Sequence, residues 1–298
     1  MTVSPQPHRG IFFVIAAVAL FAALDTTTKY VSATVTFIMA MWVRYVFQAI
    51  IVTATLVPRH GLGPLRSRHP WLQLGRTVLM LSCNLFAFYS FKHMPVGDVT
   101  AIIMLAPLLM TVFAATGLNE RVSPLRWLLL AGCLAGALVI VRPGAEDFNW
   151  AALLPLTLLL CNTLFQVVTS RLARLEDPMV MQYYTSFIGV VCFSVALPFG
   201  WLTLHDGTLW LLLLLIAAFS MVGHHLLTLG YATAAVSRLT PYLYWQIAFA
   251  NLFGWLVFAH VPDRWAMLGI LIIAVCGAAG TWLNAREHRA MPGHQALT

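Results

Sequence analysis

The sequence predicts an all-α membrane protein in which ten transmembrane helices form two inverted repeats of five helices. Three observations predict this fold class: the composition, the spacing of apolar segments and an internal match between the two halves. Of the 298 residues, 60% are hydrophobic and only 9% are charged, too few to cover the surface of a water-soluble domain. The apolar segments are continuous rather than alternating, which favours helices over a β-barrel.

The apolar segments have the length of membrane spans. A helix needs about 20 apolar residues to cross a bilayer, and such segments are separated by short breaks rich in Pro, Gly and charge, such as 58–61 and 142–144. They lie at about 10–30, 34–57, 70–91, 97–117, 123–141, 149–170, 179–200, 208–232, 238–259 and 264–284. The breaks leave no room for a soluble domain. The first segment is interpreted as a helix rather than a cleaved signal peptide, because the repeat requires it.

Basic residues outside the spans predict the orientation. With a cytoplasmic N-terminus, the inner loops and tails contain eleven Lys and Arg residues and the outer loops contain four. This distribution satisfies the positive-inside rule, and an even number of spans places both termini in the cytoplasm. The predicted location is the inner membrane of a bacterium. The net charge of +7 therefore indicates orientation. It does not indicate nucleic-acid binding, because no Lys/Arg cluster is interleaved with aromatic residues.

The two halves match at an offset of 137 or 138 residues, which aligns the Arg-Trp pair at 126–127 with the pair at 264–265, and Asp25 with Asn162. Each half contains five spans, an odd number, so the second half crosses the membrane in the opposite sense. The predicted boundaries are 10–142 for the first repeat, 149–285 for the second and 286–298 for a cytoplasmic tail. Inverted repeats are common in secondary transporters, where two packings of the halves alternate access to a site between them near the midplane. The alternative is a duplication kept for stability alone.

Charged residues inside the spans are the first candidates for function. Arg44 lies roughly nine residues into the second span, where an arginine costs about 3 kcal/mol even on the insertion scale. The acidic residue clearly inside a span is Asp25, with Lys29 one turn further on. In one interpretation Arg44 meets a substrate carboxylate and Asp25 carries a coupling proton. In the other, the three residues form a fixed ion network that joins the first two helices.

Further polar, aromatic and proline residues within the spans complete the set of candidates. The candidate substrate-binding residues are Arg44, Asn84, Tyr89, Asn162, Gln166, His224, Tyr244 and Trp245, and the candidate coupling or gating residues are Asp25, Lys29 and Pro107. Structural alternatives are interhelical hydrogen bonding for the amides, packing for His224, an interfacial aromatic belt for the tyrosines and tryptophan, and a simple kink for Pro107.

No enzyme motif occurs in the sequence: it lacks a phosphate-binding loop, a dinucleotide fingerprint, a zinc-protease motif and a nucleophile elbow. We expect neither a metal nor a cofactor, since the adjacent His224 and His225 point to different faces of a helix. Gly132 and Gly136 form a GxxxG pattern in the fifth span. This pattern predicts close packing, either with the tenth span or with a second protomer in a homo-oligomer.

The second half of the first repeat contains the densest set of characteristic residues. It reads Arg76, Tyr89, Pro95, Asp98, Thr100-Ala101, Ala106-Pro107-Leu108, Glu120-Arg121, Arg126-Trp127 and Arg142-Pro143-Gly144. Together with Asp25, Lys29 and Arg44, these residues resemble an EamA-type member of the drug/metabolite transporter superfamily, in its bacterial ten-helix amino-acid and metabolite exporter branch. The resemblance covers about residues 10–285. It implies a central cavity surrounded by helices one to four and six to nine, and transport of amino acids or related metabolites, often outward, by alternating access.

The sequence therefore predicts a secondary transporter whose partners are the bilayer and a small polar or amphiphilic molecule, with export of an amino acid as the leading interpretation. Because no ATP-binding motif occurs, the energy would come from a gradient of substrate, protons or another ion. One alternative is an uptake or efflux carrier for another metabolite or drug. The alternative from a different class is a membrane-embedded enzyme or an assembly factor for lipid-linked substrates, which would need a cluster of ionisable residues at one membrane face.

Overall fold

The structure of the chain is a computed structural model that describes residues 7–60, 67–106, 109, 124–141, 150–172, 175–176, 178–233 and 242–290. The described residues are predominantly helical and none of them forms a β-strand, which confirms the all-α class for this part of the chain. In chain order the helices are α1 (Pro7–Val31), α2 (Phe37–His60), α3 (Pro70–His93), α4 (Val96–Ile103), α5 (Pro124–Val141), α6 (Leu153–Leu172), α7 (Pro178–Ala196), α8 (Gly207–Thr233), α9 (Trp245–Phe258) and α10 (Arg264–Ala290). Short 3₁₀ turns at Trp150–Ala152 and Leu197–Phe199 flank α6 and α7.

Five of the described helices are long and apolar enough to cross a bilayer, namely α1, α2, α3, α7 and α8. Shorter apolar segments of 10–17 residues lie in α5, α6, α9 and α10. The span expected at 97–117 begins in α4 and continues beyond the described residues. The chain is thus a multi-pass membrane protein, whereas the number of ten spans, their orientation and the repeat remain predictions.

The chain divides into two compact units, each assembled from separate stretches of sequence. The first unit comprises Met1–Ala23, Pro95–Phe148 and Val222–Thr298, and the second comprises Leu24–Met94 and Asn149–Met221. Each unit takes segments from both predicted repeats. The repeat boundaries describe a match in sequence and the units describe packing, so the repeats at 10–142 and 149–285 are not tested by this division.

In the first unit, α5 packs along α10 and α4 packs against α9. The backbones of α5 and α10 come close together at small residues. A Cβ atom on Gly269 would lie 2.6 Å from the carbonyl oxygen of Gly136, and one on Gly132 would lie 2.7 Å from the sulfur of Cys276. The GxxxG pattern is therefore used between these two helices of the same chain. A homo-oligomer through this pattern is not supported.

In the second unit, α3 packs against α6 and α7, and α2 packs against α7. A glycine permits the last contact, because a Cβ atom on Gly189 would lie 2.6 Å from the ring of Tyr45. The buried side of α3 is unusually polar for a membrane helix. It includes Gln73, Arg76, Thr77 and Asn84, and these side chains bring hydrogen-bonding groups into the interior of the unit.

Candidate substrate-binding site

Arg44 lies in α2, is only 8% exposed and makes its hydrogen bonds to neutral side chains. Its Nη1 donates to Oδ1 of Asn84 in α3 at 3.2 Å, and its Nη2 donates to Oγ of Ser220 in α8 at 2.8 Å. Its Nε is buried and has no hydrogen-bond partner within the described ranges. Arg44 therefore joins α2 to α3 and α8 through Nη1 and Nη2, whereas its Nε is left without a described partner.

Asn84 connects Arg44 to the residue that follows it in α2. The side-chain nitrogen of Asn84 donates to the hydroxyl of Tyr45 at 2.6 Å, and Asn84 is only 8% exposed. Because the guanidinium can only donate, its bond to Oδ1 fixes the orientation of the amide and turns the NH₂ group toward Tyr45. Sequence reasoning identified Arg44 and Asn84 separately but missed Tyr45 and Ser220, which carry no unusual charge.

Aromatic rings surround the Tyr45 end of this cluster. The Tyr45 ring stacks on Phe193 with a centroid distance of 5.7 Å and an interplanar angle of 13°. Phe37 meets Phe193 and Phe88 edge-on, each at 5.5 Å, and its ring lies 6.2 Å from that of Tyr89. The candidate site thus combines a guanidinium, an amide and a hydroxyl with an apolar aromatic wall.

Lys29 is held by the end of a neighbouring helix. Its Nζ donates to the carbonyl oxygens of Phe91 at 3.0 Å and Met94 at 2.7 Å. These carbonyls lie at the C-terminus of α3, where a cation is favoured by the helix dipole. Lys29 therefore ties α1 to α3. A role in gating or coupling stays a prediction.

Asp25 attracts the guanidinium of Arg44 electrostatically. This attraction is compatible with both interpretations of the group, a substrate site and a fixed ion network, and both stay predictions. A second acid, Asp98, lies within a helix, α4, and is only 8% exposed. In the sequence, Asp98 stood out only as a characteristic residue at the edge of a predicted span.

A second buried arginine, Arg76 in α3, was also recognised only as a characteristic residue. Its Nε donates to the hydroxyl of Thr169 at 3.0 Å, and its Nη1 donates to the hydroxyl of Thr185 at 2.6 Å and the carbonyl of Met181 at 3.3 Å. The guanidinium also lies 5.0 Å from the ring centroid of Phe165. Arg76 thus joins α3 to α6 and α7. The rule that singled out Arg44, a charge within an apolar span, would have found Arg76 as well.

Gln73, one turn before Arg76, is fully buried. Neither its Oε1 nor its Nε2 has a hydrogen-bond partner among the residues that the structure describes. Unpaired polar groups in a membrane interior are costly. Gln73 extends the polar side of α3 beyond Arg76, and no sequence pattern singled it out.

Outside the apolar segments, Glu176 binds the backbone that leads into α3. Its Oε1 accepts hydrogen bonds from the hydroxyl of Ser67 at 2.7 Å and from the backbone amides of Arg68 at 2.6 Å and His69 at 2.9 Å. Partial burial opposes ionisation, but these three donors outweigh it and lower the pKa of Glu176 below its ordinary value. Glu176 therefore fastens the α6–α7 connection to the start of α3.

The remaining candidates of the second unit lie on α3 and α6. Tyr89 is 38% exposed and its ring adjoins Phe37 and Phe88. Asn162 and Gln166 occupy successive turns of α6 and are half-buried. Their helix packs against α3, the helix that carries Asn84 and Arg76.

The other candidates belong to the first unit. The ring of His224 meets Phe21 edge-on at 4.9 Å. Tyr244 is buried and its hydroxyl end abuts Gly277 of α10, whereas Trp245 is 52% exposed and adjoins Phe249. Pro107 lies outside the described residues. Throughout the described part of the chain, no group of three or more His, Cys, Asp or Glu side chains is placed to hold a metal ion.

Residues 8–142 match the EamA-like transporter family. The match confirms the resemblance that the sequence suggested, over the part of the chain that carries its densest set of characteristic residues. The chain is also similar over most of its length to individual transporters.

A riboflavin transporter of Brucella anthropi is 28% identical, with 84% of this chain and 90% of that protein covered. An S-adenosylmethionine uptake transporter of Rickettsia felis is 23% identical, with 89% of each covered. A pseudopaline exporter of Pseudomonas aeruginosa is 26% identical, with 90% of this chain and 94% of that protein covered. A solved crystal structure shares the fold, with a TM-score of 0.63, 20% identity and coverage of 93% of this chain and 98% of its own.

Proposed function

We propose, from the match of residues 8–142 to the EamA-like transporter family, that this chain is a secondary carrier for a small polar metabolite with an aromatic ring system. The coarse part of this statement, a membrane transporter rather than an enzyme, is supported by the family match and by the similar transporters. The proposal adds the substrate class, the site and the mode of action. We place the carrier in the inner membrane of a bacterium.

The observation that carries the proposal is the buried cluster of Arg44, Asn84, Tyr45 and Ser220 beside an aromatic wall. The polar groups supply hydrogen-bond donors for oxygen or nitrogen acceptors, and the aromatic residues provide apolar surface for a ring. Riboflavin and S-adenosylmethionine, which name two of the similar transporters, both contain heteroaromatic rings with polar substituents. A ring-containing metabolite therefore suits this site better than an aliphatic amino acid.

Alternating access accounts for transport without ATP. No nucleotide-binding motif occurs in the sequence, so a gradient of the substrate or of a coupled ion drives net movement. The similar proteins are named for both uptake and export. We accordingly propose a reversible carrier whose direction is set by the gradient.

Flux into proteoliposomes tests the proposal. Labelled riboflavin, S-adenosylmethionine and tryptophan would be supplied outside vesicles that contain the full-length protein, with protein-free vesicles as the reference. We expect at least one ring-containing compound to enter faster than through lipid alone, and unlabelled compound inside to accelerate its entry. Equal rates for all three in the two kinds of vesicle would contradict the proposal, and flux without exchange stimulation would indicate a channel.

Export of amino acids, the leading interpretation of the sequence, is the second candidate. It is favoured by the unused Nε donor of Arg44, because a guanidinium is the preferred partner of a carboxylate. Inclusion of leucine beside tryptophan in the same flux panel separates the candidates. If leucine is transported as fast as the ring compounds, the result favours an amino-acid carrier.

Proton coupling through Asp25 is a further part of the proposal. If Asp25 carries the coupled proton, Asp25→Asn should abolish the dependence of flux on an imposed pH gradient and leave exchange at equal pH intact. An unchanged gradient dependence in this variant would exclude coupling through Asp25.

A further inference from the structure

One edge of the Arg44 guanidinium is only half occupied. In arginine, Nε and Nη2 lie side by side on the edge that grips both oxygens of a carboxylate in the side-on mode. Here Nη2 donates to Ser220, and Nε has no hydrogen-bond partner among the described residues. Nη1, on the opposite side, is held by Asn84. The vacant donor therefore adjoins a donor whose present partner is a rotatable hydroxyl.

An unmet donor on a buried cation is energetically unfavourable. A buried group left without its hydrogen bond costs about 1–3 kcal/mol, and more if the group is charged. Asn84, which is itself hydrogen-bonded to Tyr45, holds Nη1 of the guanidinium in place. This arrangement suits a site whose last acceptor is supplied by a bound molecule.

The charge of the surroundings specifies what kind of acceptor is missing. Arg44 and Arg76 both act electrostatically on Tyr45, and the described partners of Arg76 are hydroxyls, a carbonyl and an aromatic ring. Among the described residues, the carboxylate that acts on Arg44 is that of Asp25. Two buried guanidinium groups thus share this interior. A neutral carbonyl would satisfy the vacant donor, whereas an anion would also offset the excess positive charge.

We propose that Arg44 binds a carboxylate of the transported molecule side-on, which makes the preferred substrate an aromatic or heteroaromatic acid; this inference rests on the proposed function. One carboxylate oxygen accepts from Nε and the other replaces Ser220 at Nη2. Asn84 and Tyr45 act as positioning residues that hold the guanidinium in place.

Nicotinate and nicotinamide form a suitable pair of probes, because they share a heteroaromatic ring and differ in having a carboxylate or a carboxamide. The full-length protein would be purified in detergent with ¹⁵N-labelled arginine, and the Nε–H resonance of Arg44 identified by its absence in Arg44→Lys. We expect nicotinate to shift this resonance in a saturable manner and nicotinamide at equal concentration to leave it in place. A shift by neither compound, by nicotinamide alone or by both equally would overturn the inference.

Variants separate binding from a purely structural role. Nicotinate affinity should fall about ten-fold or more in Arg44→Gln, because a charge-assisted pair is lost. Thr55→Ala, which removes an exposed hydroxyl bonded to its own helix, is the matched control and should bind as the unaltered protein does. Unchanged affinity in Arg44→Gln would contradict the side-on assignment.

The flux panel distinguishes failure of this inference from failure of the proposed function. Exchange of riboflavin by a protein whose Arg44 does not respond to nicotinate would refute the carboxylate assignment and leave a carrier. A protein whose Arg44 resonance responds to nicotinate, but which transports neither nicotinate nor any panel compound, would support the anion site and refute transport.

Discussion

The side chain of Asn84 donates a 2.6 Å hydrogen bond to the hydroxyl of Tyr45. The other end of the same amide accepts a hydrogen bond from Arg44, so that Asn84 links the hydroxyl of Tyr45 to the guanidinium. Rotation of the amide would turn its NH₂ group toward the guanidinium, which can only donate, and would lose the hydrogen bond to Arg44. Asn84 and Tyr45 together support the guanidinium of Arg44.

Removing this support should weaken substrate binding. In Asn84→Ala, we expect the KM for flux of the transported panel compound to rise about ten-fold, because a hydrogen bond to a charged group contributes roughly 1.5–3 kcal/mol. In Tyr45→Phe, the increase should be smaller, since Asn84 still contacts Arg44. Concentration series in proteoliposomes measure both effects. Thr55→Ala is the control, and an unchanged KM in Asn84→Ala would show that Arg44 does not need this partner.

Arg76 should contribute mainly to stability. Arg76→Ala removes hydrogen bonds to Thr169, Thr185 and Met181 and leaves buried acceptors unpaired, so we expect a loss of about 3 kcal/mol. Arg76→Lys should recover only part of this loss, because an ammonium group cannot reproduce the planar guanidinium contacts. Thermal unfolding in detergent provides the measurement. Arg171→Ala, at an exposed position on α6, should melt like the unaltered protein. A similar melting temperature for Arg76→Ala would contradict the structural role.

The Glu176 contact predicts a defined pH dependence. The pKa of Glu176 is lowered in the folded protein from an ordinary value of 4.5, so its contribution to stability is complete above that value and is lost as the pH falls through the lower folded value. Glu176→Gln should therefore melt below the unaltered protein at pH 7, by at most about 1 kcal/mol because the carboxylate is partly exposed. The difference should disappear at strongly acidic pH. Melting curves recorded from pH 7 to pH 3 test this, and a difference that grows on acidification would have the wrong sign.

The contact between α5 and α10 predicts a contrast between two glycines. Gly269→Ala places a Cβ atom 2.6 Å from the carbonyl oxygen of Gly136, and we expect the helices to separate at a cost of about 1–3 kcal/mol. Gly254→Ala, in α9, meets nothing within 4 Å and should be neutral or stabilising by up to about 1 kcal/mol through helix propensity. Thermal stability of the two variants in detergent gives the comparison. Equal effects would mean that the close approach is not required.

Composition and hydropathy were sufficient to predict a helical membrane protein, because they depend on the solvent around a helix and not on its neighbours. They also identified Arg44 and Asn84, whose polarity is exceptional in an apolar segment. The pairing of these two residues was not predictable, since it depends on how α2 and α3 are rotated about their axes. Ser220 and Tyr45 were missed for the same reason. Serine and tyrosine are common in membrane helices, and these two become notable only when the fold places Arg44 or Asn84 beside them.

Adjacent residues on a helix illustrate the same limit. Tyr244 and Trp245 were predicted together, but a step of one residue turns the side chain by about 100°. Accordingly Tyr244 packs onto Gly277 and Trp245 is largely exposed. The sequence predicts the position of each residue along the span but not the face of the helix on which its side chain lies.

The division of the chain has a consequence for its biosynthesis. The second unit needs residues from Asn149 to Met221, and the first needs residues beyond Val222. A nascent chain whose first five helices have entered the membrane therefore contains only some of the segments that form each unit. During translation those helices must remain separate or be shielded by the insertion machinery, and the packing of the early segments is completed only when the later ones arrive.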